Sequence, residues 1–237
     1  MTHSDSSAPT VVLVHAAWAD GSSWNKVIQM LQSRGLHIIA APIPMTSLSD
    51  DVRALDRVLE RTAGPVVLGA HAYSGAVISA TKNPRVCGLV FITSLTPDEG
   101  ESVADVFYRD TPHPQAPKLG PDAHGVIWMP EPFFTTAFAQ DASPQEAALL
   151  AATQRPLALA CIQEKSPTPL WRKMPSWYLV ATQDRMIPEA TQRFLANRMR
   201  ARIRIEDVDH VPMVTAPKIV VDVFATAIDA TAKTSSM

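Results

Sequence analysis

Cysteine is scarce in this chain. Cys87 stands in an apolar run and Cys161 in a mixed segment, and two thiols without metal-ligand spacing exclude a disulfide framework. The seven histidines form neither an HxxxH nor an HExxH pattern, so no metal site is expected. Charge of one sign is missing too: 21 basic against 23 acidic side chains leave −2, which excludes an electrostatic footprint for nucleic acid or anionic lipid. No apolar run approaches the roughly 20 residues of a membrane span, and the polar start from Met1 to Thr10 lacks a leader pattern. A cytoplasmic protein acting on a small molecule is the expectation, with the oligomeric state open. Nine glycines are about half the usual share, which speaks against glycine-rich phosphate loops and any nucleotide cofactor.

Proline, by contrast, is abundant, and ten of the 20 fall between residues 101 and 170. Regular sheet cannot run through such a segment, so an insertion of short helices and extended stretches is expected over residues 99–171. On either side, short apolar runs alternate with helical patterns. Val11 to His15, His37 to Ala41, Pro65 to Gly69, Val86 to Thr93, Trp177 to Thr182 and Arg202 to Glu206 read as strands. Between them, Trp24, Val27, Ile28 and Leu31 share a helical stripe, as do Val52, Leu55, Val58 and Leu59 behind an N-cap expected at Ser49. Helices are also expected over Glu189 to Met199 and Lys218 to Ala230, and Ser143-Pro144-Gln145-Glu146 is a capping box opening a helix to Thr153. This alternation predicts a doubly wound, mainly parallel α/β sheet formed by residues 1–98 and 172–237, with its chemistry at the carboxyl ends of the strands.

Four loops leave those ends. They are His15-Ala16-Ala17-Trp18, the tight strand-to-helix turn Gly69-Ala70-His71-Ala72-Tyr73-Ser74-Gly75, the segment Thr182-Gln183-Asp184-Arg185-Met186-Ile187-Pro188, and Asp209-His210-Val211-Pro212-Met213. Together they resemble the α/β-hydrolase superfamily, in particular its small esterase-like branch of methylesterases and hydroxynitrile lyases, along nearly the whole chain. The resemblance implies an α/β-hydrolase fold with a proline-rich helical lid, a G-x-S-x-G-like nucleophile elbow, and the chain order nucleophile, Asp, His.

Ala72 occupies the nucleophile position, so no acyl-enzyme forms there by the usual route. Ala16, Ala70 and Ser74 also replace glycines of the pattern, which fits divergence of the whole turn better than one exchanged residue. The resemblance makes His210 a general base oriented by Asp184, and makes the backbone N–H groups of Ala17 and Tyr73 the oxyanion hole. These groups do not depend on a serine. Three functions follow as expectations: a carboxylic-ester hydrolase, either inactivated by loss of its serine or using water activated by His210, a cofactor-free lyase or decarboxylase such as the methylketone-forming enzymes with alanine at the elbow, or a non-catalytic binder.

Other residues have plainer readings. His71 should support the turn, Ser74 should point away from the site because two residues along an emerging helix turn it by ~200°, and His15 should bond within its loop. Asp184 is preferred over Asp209 as the orienting acid, because adjacent side chains rarely point together. Asp20, Asp207, His113 and His124 should be solvated. Trp18, Trp128, Met186 and Val211 are expected to line the substrate pocket, with Met213 as another flexible candidate. Val211 stands where the hydroxynitrile lyases carry lysine, which weakens that reading. Trp128, Phe133, Phe134 and Phe138, without a basic cluster, suggest a small, largely apolar carbonyl compound.

Overall fold

A computed structural model describes residues 8–234. Eight strands occur among them: β1 (Thr10–Val14), β2 (Ile38–Ala41), β3 (Val66–His71), β4 (Val86–Ile92), β5 (Val126–Ile127), β6 (Leu157–Ala158), β7 (Ser176–Ala181) and β8 (Arg202–Glu206). Six form one parallel sheet in the order β2-β1-β3-β4-β7-β8. β1, β3 and β7 are buried at every residue, which is why they read as unbroken apolar runs rather than alternating ones.

The helices are α1 (Asn25–Gln32), α2 (Leu48–Glu60), α3 (Ser74–Ala80), α4 (Val103–Phe107), α5 (Pro144–Ala152), α6 (Leu159–Gln163), α7 (Glu189–Arg198), α8 (Pro212–Thr215) and α9 (Pro217–Thr234). From β1 the chain steps outward to β2 and then back across to β3. Right-handed crossovers therefore place α1 on one face of the sheet and α2 and α3 on the other, and α9 returns to pack beside α1. The reversal of direction falls between β1 and β3, which pair in register from Thr10↔Val66 to Val14↔Ala70. Two loops thus leave neighbouring strands at the point where doubly wound sheets bind ligands.

Two local expectations shift. Ser47, not Ser49, caps α2, its hydroxyl accepting the Asp50 amide at 3.0 Å; the earlier start lets Leu48 enter the core at 2% exposure. Trp24 ends a 3₁₀ turn (Gly21–Trp24) before α1 instead of lying within it, although it shares the buried stripe with Val27 and Leu31. Between β4 and β7 the proline-rich stretch forms α4, a two-residue antiparallel pairing of β5 with β6, a π-helical turn (Phe134–Phe138), α5 and α6. The capping box of α5 is made in both directions between Ser143 and Glu146, with Pro144 at the first helical position. No helix among the described residues is long and apolar enough to cross a membrane.

Candidate active site

The turn from β3 into α3 sets the geometry. Ala72 adopts φ +49°, the left-handed region a side chain enters at a cost of roughly 1–2 kcal/mol. Its carbonyl accepts the amides of Leu95 (2.9 Å) and Gly75 (3.1 Å). A Cβ on Gly75 would sit 2.5 Å from the Leu95 carbonyl oxygen, so the close approach needs glycine there. Ser74 replaces a pattern glycine without opening the turn: fully buried, it accepts the His71 amide (2.9 Å) and donates to the carbonyls of Val14 (2.8 Å) and His71 (2.9 Å). The hydroxyl stitches β1 to β3 and is not free to react.

Asp184 and His210 come together. The imidazole Nδ1 lies 2.8 Å from Asp184 Oδ2, and since the neighbouring donors mark that carboxylate as the acceptor, Nδ1 carries the hydrogen. Oδ2 also accepts from Gln192 Nε2 (3.0 Å), while Oδ1 takes the amides of Met186 (2.7 Å) and Ile187 (2.9 Å). Gln192 escaped the sequence reading because one polar residue on an ordinary helix carries no pattern. Fully buried, it donates to the Ile187 carbonyl (2.9 Å) and accepts the Ala181 amide (3.0 Å), locking the acid loop to β7. Asp209 faces elsewhere, accepting from Thr215 Oγ1 (2.7 Å) and the Val211 amide (3.2 Å).

His71 sits behind the pair. Its Nε2–H donates to the His210 carbonyl (2.8 Å), and the two rings lie 4.7 Å apart. Burial, reinforced by the nearby His210, drives its pKa well below the ordinary histidine value and keeps it neutral. His15 donates Nδ1–H to the Ala16 carbonyl (2.9 Å), and burial lowers its pKa as well.

A cavity of about 490 Å³ opens beside these groups, within the range of small-molecule sites. Its floor is Ala17, Trp18, Ala72, Tyr73, Met186 and His210, and its walls come largely from the segment between β4 and β7, including Val103, Phe107, Leu119, Ile127 and Leu157. His210 Nε2 has no hydrogen-bond partner among the described residues, and neither do the amides of Ala17 and Tyr73. Trp18 clamps its loop to the segment between β4 and β7, donating Nε1–H to the Ile127 carbonyl (2.9 Å) and its amide to the Arg155 carbonyl (3.1 Å).

Three expectations are corrected. Trp128 is 49% exposed and does not line the cavity: it follows the last residue of β5, and successive side chains of extended backbone face opposite ways, so Ile127 turns inward and Trp128 outward. Val211 and Met213 are buried in the core outside the cavity wall, because the chain turns into α8 directly after His210. His113, expected in solvent, is half-buried and lines the cavity.

A parallel sheet with a left-handed elbow after β3, an acid after β7 and a histidine after β8 is the arrangement of the α/β hydrolases. The chain belongs to the alpha/beta hydrolase family, whose profile matches residues 11–223. Among curated proteins it is similar to Methylesterase 2 of Arabidopsis thaliana, 27% identical over 243 residues covering 89% of this chain and 92% of that protein. Methylesterase 1 of the same plant is 25% identical over 247 residues, covering 90% and 93%. Solved structures with the same fold include polyneuridine aldehyde esterase (TM-score 0.80, 17% identity, 92% of this chain and 99% of that one). A pyrethroid hydrolase from Sphingobium faniae superposes with TM-score 0.81 at 20% identity, covering 95% and 99%.

Proposed function

We propose that this protein hydrolyses a small, largely apolar carboxylic ester with a water molecule in place of the missing serine hydroxyl. The observation that carries the reading is His210: held through Nδ1 by Asp184, it presents a free Nε2 to an apolar cavity that Ala72 also lines. In this reaction a water beside the Ala72 methyl gives its proton to Nε2 as its oxygen bonds to the ester carbonyl carbon. The resulting oxyanion is stabilised by the unpaired amides of Ala17 and Tyr73. The tetrahedral adduct then expels the alkoxide, which takes the proton back from Nε2, leaving acid and alcohol. Oxyanion-hole and binding contributions alone retain roughly 10³–10⁴-fold acceleration in triad enzymes stripped of their nucleophile, so slow turnover is expected. Residues 99–171 serve as the cap that walls the site from water, with α5 part of that cap. The esterase names of the relatives support the substrate class.

The test is p-nitrophenyl butyrate hydrolysis by the chain as it stands, by His210→Ala and by Ala72→Ser. Slow turnover is expected, abolished in His210→Ala and raised at least about 10²-fold in Ala72→Ser. Unchanged turnover in His210→Ala defeats the reading. Carbon dioxide release from a β-keto acid would point instead to lyase chemistry, and ligand-induced stabilisation without turnover of any ester would point to a binder.

A further inference from the structure

Beneath the elbow lies a carboxyl group that the proposed reaction does not use. Asp51, on α2, is fully buried. Its Oδ1 accepts the Met45 amide at 2.7 Å, and its Oδ2 accepts the Tyr73 phenol at 2.7 Å and the Cys161 thiol at 3.8 Å. No lysine, arginine or histidine among the described residues forms an ion pair with it. A buried carboxylate without a counter-cation is costly, and α2 already has Leu48, Leu55 and Leu59 to hold it against the core. Stability alone gives no reason for an acid here.

Its partners supply one. Tyr73 follows Ala72 and borders the cavity; its amide has no hydrogen-bond partner among the described residues, and the residue is 2% exposed. The peptide joining the two residues is planar, so anchoring the Ala72 carbonyl on Leu95 and Gly75 sends the Tyr73 N–H the opposite way. That fixes the plane at one end; the phenol on Asp51 fixes Tyr73 at the other. The remaining partners lead to the insertion. Cys161 lies on α6, and Met45, whose amide is on Asp51, accepts the Ala158 amide of β6 on its carbonyl at 3.0 Å. Burial lifts the Tyr73 phenol and the Cys161 thiol above their ordinary values, Cys161 to about 12, so both remain donors.

We propose that Asp51 is a positioning residue of this site: through Tyr73 it aims the amide that receives the oxyanion, and through Cys161 and Met45 it seats the cavity wall on the elbow. The proposal rests on the ester-hydrolase reading for the role of that amide. Asp51 itself touches no reacting atom.

Tyr73→Phe keeps the ring and removes only the hydroxyl, so it folds even if Asp51→Asn does not. Measured on p-nitrophenyl butyrate, alone and with Ala72→Ser, both variants are expected to lower kcat about 10- to 30-fold and leave KM within about twofold, because an oxyanion donor acts in the transition state. The double variant should lose no more than either single one. A lower melting temperature with kcat unchanged, or a rise in KM that accounts for the whole loss, overturns the proposal in favour of a packing role. A second readout needs no turnover. In a ¹⁵N–¹H spectrum, adding butyrate should shift the Tyr73 amide resonance in the parent chain, and that shift should be at least halved in both variants. If butyrate leaves the resonance unmoved in the parent, or moves it equally in all three, Asp51 does not position the amide. Absence of ester turnover with this spectral pattern intact would remove the ester-hydrolase reading and leave the positioning of the amide standing.

Discussion

At the scale of single residues, Ala72 is the point where energy and chemistry part. A left-handed alanine costs roughly 1–2 kcal/mol, and no hydroxyl is there to be presented in return. Glycine occupies that region freely but gives the unfolded chain more freedom, worth about 0.4–1 kcal/mol in the opposite sense. Ala72→Gly is therefore expected to stabilise the protein by up to about 1 kcal/mol, read as a rise of about 2–4 °C in melting temperature for a chain of this size. A fall in melting temperature would mean that the turn is not strained. The residues legible in the sequence were those that the family resemblance pairs by chain order: Asp184 and His210 meet at 2.8 Å. Gln192, Asp51 and the lining role of His113 were not legible. Each acts through a long-range contact that no local pattern marks.

At the scale of elements, the strands fall within about a residue or two of the runs that announce them; in β1, β3, β4 and β7 burial on both faces forces continuous apolarity. Between β4 and β7 the sequence marked only a concentration of proline and the capping box that opens α5. The composition there excludes regular sheet but does not say which side chains turn inward, and that is why Ile127 lines the cavity where Trp128 was expected. Packing between the elbow and the chain after β4 gives a sharper case. α3 approaches the segment after β4 so closely that a methyl on Gly75 would meet the Leu95 oxygen at 2.5 Å. On helix propensity alone, Gly75→Ala would gain about 1 kcal/mol. The clash is with backbone and cannot rotate away, so overpacking of typically 1–3 kcal/mol should win. We expect Gly75→Ala to lower the urea midpoint, and a higher midpoint would show that the two segments can separate freely.

At the scale of the whole molecule, buried titratable groups set opposing dependences on pH. His15 and His71 have folded pKa values below the ordinary histidine value, so their contribution to stability is present above pH ~6.5 and is lost as pH falls through their folded values. Asp51 works the other way. Burial raises its carboxyl from 3.8 to about 6, so its contribution is present below pH ~4 and is lost as pH rises through 6. Asp209, also raised by burial, acts in the same sense. On the surface, Lys165 and Ser102 hold Asp105 at about 2 and Lys26 and Ser143 hold Glu146 at about 2, adding a loss of stability only below pH ~4. Between pH 6.5 and 4 the histidines and the buried acids therefore offset each other, and the parent should show a shallow profile that steepens under stronger acid. Asp51→Asn removes the largest opposing group. Comparing urea unfolding at pH 7.5 and pH 4, the variant should lose up to about 3 kcal/mol more than the parent, the roughly two-unit shift of Asp51 converted at 1.36 kcal/mol per unit. Parallel profiles for parent and variant would show that Asp51 does not titrate differently in the folded and unfolded chains.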